Sequence, residues 1–257
     1  MKRIFLLAVA ASVACGAPRP PARGQVRVAA AADLNVALGE LVTRFTATHN
    51  ADVSVSYGSS GTFYAQLLNQ APFDMYLSAD VDYPRQLASR GLTISGSEFT
   101  YAIGRLVLWV PSSSSLDIEG QGLRALTGTS IAHVSVANPN HAPYGRAAIA
   151  ALKSAGIYEG VQPKLVFGEN VAQALQFAQS GAADAAIVAL SLALTPALEK
   201  RGRFVDVPAA MYPRMEQGGT ILKSAADVDT ARALRAFIVS DEGRAILTQY
   251  GFAVPDR

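Results

Sequence analysis

The stretch Tyr57-Gly58-Ser59-Ser60-Gly61-Thr62 carries the residue types that hold an anion. It follows an alternating apolar run, Val53, Val55 and Tyr57, that predicts a strand, and it precedes a predicted helix with Phe63, Tyr64, Leu67 and Leu68 on one side. A Ser/Gly turn from strand into helix leaves the first N–H groups of the helix without intrahelical acceptors, and the helix dipole adds partial positive charge there. The same residues also make a plain cap, in which Ser59 or Ser60 bonds back to its own helix. Three further turns stand in the same position: Asp33 after the first strand, Pro143-Tyr144-Gly145, and Glu169-Asn170-Val171. In a parallel α/β sheet such turns lie at the carboxyl ends of the strands, where ligands bind. Two such edges facing each other surround a small anion with backbone donors. No Lys or Arg lies inside the four turns, and Arg146 falls just within its helix. Neutral donors then have to meet the charge, which several converging hydrogen bonds to an ion can do.

Other chemistries find little support. Cys15 is the only cysteine, so without it there is no disulfide, no thiol nucleophile and no Cys-based metal site. His49, His133 and His141 are far apart and lack metal-ligand spacing. His49 reads as a surface residue at a helix end, while His141 either lines the cleft or is solvated in its loop. The run Gly58-Ser59-Ser60-Gly61 superficially matches a serine nucleophile elbow, but Thr62 stands where the second Gly must be. No phosphate-binding loop of the Walker type is present. Asp74 and Asp80 flank a strand end and offer paired carboxylates; the structural reading, strand start and helix start, is the stronger. Tyr101 and Trp109 read as packing at a hinge. An enzyme on this scaffold is the remote alternative.

The elements that must position these turns begin after a targeting segment. Lys2 and Arg3 precede an apolar stretch, 4–14, too short to span a bilayer. Ser12 and Ala14 have the spacing that signal peptidase prefers, so residues 1–14 read as a signal peptide and 15–24, with Pro18, Pro20 and Pro21, as a tether. Cys15 sits where a bacterial lipoprotein carries its lipid, yet Ser12 stands where such signals usually have Leu; lipid anchoring and simple cleavage both stay open. The formal charge of +2 includes Lys2 and Arg3, so the exported chain is near neutral and lacks the basic excess of a nucleic-acid binder. With 257 residues, half of them hydrophobic, the chain exceeds the roughly 100–200 residues of one domain. Two α/β lobes are expected.

Periodicity predicts strands at 26–31, 53–57, 73–77, 106–110, 133–137, 164–167 and 182–189. Helices are expected from Asp33 onward (Leu34, Leu38, Leu41, Val42 and Phe45 on one face), after Gly61, at 82–89, 144–155, 171–179 and 192–200, and twice within 226–250. This is the βαβ rhythm of a parallel sheet covered on both faces.

Six segments carry a family resemblance: VAAAADL at 28–34, YGSSGT at 57–62, APFDMYLSAD at 71–80, FTYAIGRLVLW at 99–109, NPNHAPYG at 138–145 and GAADAAIVAL at 181–190. Together and in this order they resemble the periplasmic molybdate-binding proteins of bacterial ABC transporters, over essentially the whole exported chain. The resemblance implies a two-lobed α/β periplasmic binding protein of type II, each lobe a mostly parallel sheet flanked by helices. Lobe 1 is expected at 25–104 plus 214–257 and lobe 2 at 105–213, with crossovers near 103–106 and 212–221 and the tail helices on lobe 1. It further implies a periplasmic monomer that closes over molybdate or tungstate and delivers it to a membrane permease, with no catalysis, no cofactor and no direct protein–metal bond. Another oxyanion, such as sulfate or phosphate, is the alternative ligand. By the same resemblance Ser60 contributes its hydroxyl and N–H, Tyr144 and Val171 their N–H groups, and Asp33 fills the fourth position, where many relatives carry Ser or Asn. An ionised Asp33 beside a dianion is repulsive. The expected escape is that its carboxylate turns back as an N-cap and leaves the N–H for the ligand; the alternative is that Asp33 keeps a proton and donates. Ala189 stands where some relatives have a ligand-bonding Tyr.

Overall fold

The computed structural model describes residues 23–198 and 200–255. The expected signal peptide, Cys15 and all but the end of the tether lie outside them. Among the described residues ten strands are formed: β1 (Gly24–Ala31), β2 (Ala51–Gly58), β3 (Met75–Ser78), β4 (Phe99–Gly104), β5 (Leu106–Pro111), β6 (Val134–Ala137), β7 (Leu165–Gly168), β8 (Ala185–Ala189), β9 (Gly202–Asp206) and β10 (Met215–Ile221). They make two five-stranded sheets, ordered β2-β1-β3-β10-β4 and β7-β6-β8-β5-β9.

Each sheet is mostly parallel, with one reversed strand that the βαβ rhythm did not foretell. β1 runs parallel to β2 and β3, and β6 parallel to β7 and β8. β10 is antiparallel to both β3 and β4, and β5 to both β8 and β9. The reversed strands are the first that the chain forms after each passage between sheets. A chain leaving one sheet at its carboxyl edge reaches the other sheet at the facing carboxyl edge, so its next strand must run against its neighbours. Only Arg105 separates β4 from β5, and the return lies between Asp206 and Met215. Arg105 and Asp206 pair at 2.8 Å beside the two passages.

The first sheet buries Val26 and Val28 against the stripe Leu38, Leu41 and Phe45 of helix Asn35–Thr48. Leu234, Ile238 and Leu247 of the tail helices Val228–Ile238 and Asp241–Gln249 join the same core. Asp74, just before β3, accepts from Arg27 Nε and Nη2, both at 2.9 Å, and from the N–H groups of Arg27 and Ala226 at 2.7 and 3.1 Å. Trp109 is buried in the second core at mid-β5 and packs closely over Gly202, so it is core rather than hinge.

Three strands, β4, β9 and β10, were not read from sequence. β10, with two adjacent glycines and no alternation, gives no strand signal. The helix expected over 192–200 is instead a turn of helix, Leu190–Ala193, and a 3-10 turn, Pro196–Leu198. Pro196 has no N–H to continue the ladder and disfavours helical geometry at Thr195.

Candidate functional site

The turn after β2 offers its donors outward. Ser59 takes the N-cap position of helix Ser60–Leu68 with extended backbone, but its side chain does not cap. Its hydroxyl donates instead to the His141 carbonyl at 2.6 Å, across the gap between the two sheets. The Ser60 hydroxyl accepts from the Ala79 N–H at 3.0 Å, which leaves its own proton for another acceptor. Neither serine satisfies its own helix, so the plain-cap reading is set aside. The Ser60 N–H has no acceptor among the described residues.

The second half presents two comparable helix starts. Helix Pro143–Ser154 opens with proline behind Ala142, so no side chain caps its first turn, and the Tyr144 N–H has no acceptor among the described residues. A Cβ on Gly145 would lie 2.1 Å from the Ala137 carbonyl oxygen, so only glycine lets this helix start rest on the end of β6. Asn170 caps helix Val171–Gln179 through Oδ1, which accepts from the Ala172 and Gln173 N–H groups at 3.0 and 3.1 Å. The Val171 N–H, one position earlier, is left over.

These starts line one small pocket. Asp33, Ser60, Tyr144 and Val171 all border a cavity of about 10 Å³, bounded further by Ala31, Ala32, Gly58, Ser59, Ala79, Ala142, Pro143 and Asn170. Pockets for organic ligands run to about 300–1,000 Å³; this one is far too small for them. No cation lines it. Arg146 is engaged outside, pairing with Asp80 at 2.5 Å and donating to the Tyr83 hydroxyl at 3.3 Å. Among the described residues no cluster of His, Cys, Asp and Glu could hold a metal ion.

Asp33 departs from the cap expectation. Residues Ala32–Leu34 form a 3-10 turn ahead of helix Asn35–Thr48, and neither start is capped by a side chain. The Asp33 carboxyl is buried, and its Oδ2 accepts from Gln217 Nε2 at 2.5 Å. Its Oδ1 has no partner among the described residues. Burial pushes its pKa up to about 6, with hydrogen bonds from Gln217 and Tyr144 pulling the other way. Helix-opening Asp residues commonly cap; here the carboxyl is buried instead, and β10 brings it the Gln217 amide.

Three contributors, Gln217, the Tyr144 side chain and Ser191, have no signal in the sequence. Gln217 and the Tyr144 side chain meet at 3.3 Å behind Asp33; β10 carried no signal, and Tyr144 was read only for its N–H. Ser191 donates to the Asp33 carbonyl at 2.8 Å rather than replacing the donor missing at Ala189. His141 joins the halves through its carbonyl, which also accepts from the Gly61 N–H at 2.8 Å, and through Nδ1, 3.0 Å from Ser59 Oγ. Asp80 does open the next helix, accepting from the Asp82 N–H at 2.9 Å, while its other oxygen holds Arg146.

Residues 26–253 match the family model described as bacterial extracellular solute-binding protein. The molybdate-binding protein ModA of Rhodobacter capsulatus is 36% identical over 95% of this chain and 94% of its own length. That of Azotobacter vinelandii is 34% identical over 99% and 98%. The solved Azotobacter vinelandii periplasmic molybdate-binding protein superposes with a TM-score of 0.83 at 33% identity, covering 90% of this chain and all of that one. Helix starts with unused donors around one small cavity are thus found in a chain that belongs to the bacterial extracellular solute-binding proteins, a family of binders rather than enzymes, and within them to the ModA family.

Proposed function

We propose that this solute-binding protein captures molybdate, and tungstate with it, in the cavity between the sheets and delivers it to the membrane permease of an ABC transporter. The observation that carries the reading is the set of unused donors, the Ser60 hydroxyl proton and the N–H groups of Ser60, Tyr144 and Val171, around one small space without a cation. With the Asp33 backbone they form a neutral cage for a tetrahedral dianion, in which every bond runs from protein to oxygen and none to molybdenum. Residues 25–104 with 214–257, and 105–213, act as the two lobes, hinged at the passages beside Arg105 and Asp206. Opening admits the anion, and closure completes the cage. The protein works as a monomer in the periplasm, and Cys15 provides the site for a lipid anchor.

Thermal unfolding with molybdate, tungstate, sulfate and phosphate in parallel tests the ligand. An anion at a thousand times its dissociation constant stabilises by about 4 kcal/mol. Shifts with molybdate and tungstate alone are expected, because the four anions share shape and differ in size. A shift with sulfate or phosphate alone would keep the binding role and replace the ligand. For Ser60→Ala, affinity should fall by about 1.5–3 kcal/mol, the worth of a hydrogen bond to a charged group. Titration calorimetry reads this directly, and unchanged affinity would remove Ser60 from the cage.

A further inference from the structure

We infer that Asp33 enters the closed cleft as a neutral acid, positioned by Gln217 and the Tyr144 hydroxyl, so that capture of the anion is coupled to uptake of one proton. The inference rests on the oxyanion reading of the cavity and adds a regulation that reading does not contain.

The hydrogen-bond inventory behind the cavity is short of donors. Gln217 Nε2 reaches Asp33 Oδ2 at 2.5 Å and the Tyr144 hydroxyl at 3.3 Å, so both its hydrogens are engaged. Asp33 Oδ1 and Gln217 Oε1 are both buried and both lack a donor among the described residues. An ionised Asp33 thus leaves two orphaned acceptors in a dry site beside the place of a dianion, a costly arrangement. A proton on the carboxyl removes the charge and turns one acceptor into a donor.

The donors around the carboxyl favour its charged form but do not outweigh its burial. Gln217 faces the carboxyl from β10 and Tyr144 from helix Pro143–Ser154, and Tyr101 of β4 acts on it at longer range. The Tyr101 hydroxyl is already spent on the Ser78 carbonyl at 3.0 Å. The remaining influences are the N–H groups of Asp33 and Leu34, and no cation figures among them. Gln217 comes from the first sheet and Tyr144 from the second, so the carboxyl is fully enclosed only when the two halves meet.

The sign follows from the direction of the shift. The closed form holds the Asp33 proton up to about pH 6, whereas a solvated Asp releases it near about 3.9. Closure therefore takes up a proton between these values, and a bound dianion extends the window upward. Affinity is greatest at the acid end and falls as pH rises through the raised pKa.

Titration calorimetry of the mature protein with molybdate between pH 4.5 and 7.5 tests this. Wild type should weaken by at least about tenfold across the range, one pKa unit being tenfold in affinity. At pH 5, buffers of different ionisation enthalpy should reveal uptake approaching one proton. Asp33→Asn should bind with a flat profile and no uptake, with affinity at neutral pH equal to or above wild type. Gln217→Met should move the pH at which affinity falls upward, whereas a merely structural role would weaken binding equally at all pH. A flat wild-type profile overturns the inference and leaves the functional reading standing. A slope retained in Asp33→Asn assigns the proton elsewhere and also overturns it. No molybdate binding by either protein overturns the functional reading, and the inference with it.

Discussion

Gly61→Ala is expected to lower molybdate affinity about 10–100-fold while the anion-free protein unfolds at the same temperature or slightly higher. A Cβ at position 61 would lie 2.6 Å from the His141 carbonyl oxygen and 2.8 Å from the Tyr83 hydroxyl. The first of these is backbone of the opposite half, which cannot swing aside as a side-chain tip would. The backbone clash therefore exists only when the halves meet, whereas the Tyr83 hydroxyl, in the same half, is a side-chain tip that can move aside; overpacking of the backbone kind costs about 1–3 kcal/mol. Because the Gly61 N–H and the Ser59 hydroxyl both bind the same carbonyl, forcing position 61 away loosens both bonds. In the separated halves the substitution replaces glycine by the best helix former, so stability does not suffer. Calorimetry with molybdate, paired with thermal unfolding without it, checks the two halves of the statement. Full affinity in this variant would show that the His141 contact is not part of the ligand-bound form.

Asp74→Ala is expected to destabilise the fold by about 2–4 kcal/mol, without direct effect on the cage. The carboxylate is nearly fully buried and binds the Arg27 side chain and two backbone N–H groups, tying β1, β3 and the approach to the tail helices together. Removing it leaves the part-buried Arg27 and Ala226 N–H groups without their acceptor, each at the lower end of the about 1–3 kcal/mol that a buried unpaired group costs. The Arg27 side chain is 44% exposed, so its own loss is partly repaid by water and the estimate stays below that for a fully buried ion pair. For a chain of this size the midpoint should drop by roughly 10 °C. Burial alone raises the Asp74 pKa, but the Arg27 side chain and the Arg27 and Ala226 N–H groups outweigh it, and the net direction is down. Its stabilisation is thus present above the ordinary carboxylate range and is lost as pH falls through the lowered value. The gap between wild type and Asp74→Ala in thermal unfolding should narrow in acid, and a constant gap would deny the ion pair its role.

Much of the fold was legible because its signals are short-range. Helices Asp82–Ser89 and Val171–Gln179 were readable to the residue from apolar spacing and from their Gly and Asn punctuation. The strands missed, β4, β9 and β10, are those whose neighbours come from far along the chain. β10 is held by β3 and β4 from more than a hundred positions earlier, with Gly219 opposite Leu77 and Phe99. No local pattern encodes such pairing when two adjacent glycines interrupt the strand.

The candidate cage divides along the same line. Which N–H groups are left over at Ser60, Tyr144 and Val171 is settled within about four residues of each helix start. The proline behind Tyr144 and the cap at Asn170 are visible in the sequence alone, as is the absence of any thiol beyond Cys15. What Asp33 does was decided elsewhere. Its partner Gln217 is 184 residues away, and Tyr144 reaches it only from the other sheet. Whether a carboxyl caps a helix or sits buried with an orphaned oxygen depends on how much water the assembled halves exclude and which donors they bring, and that exclusion exists only in the folded, closed molecule.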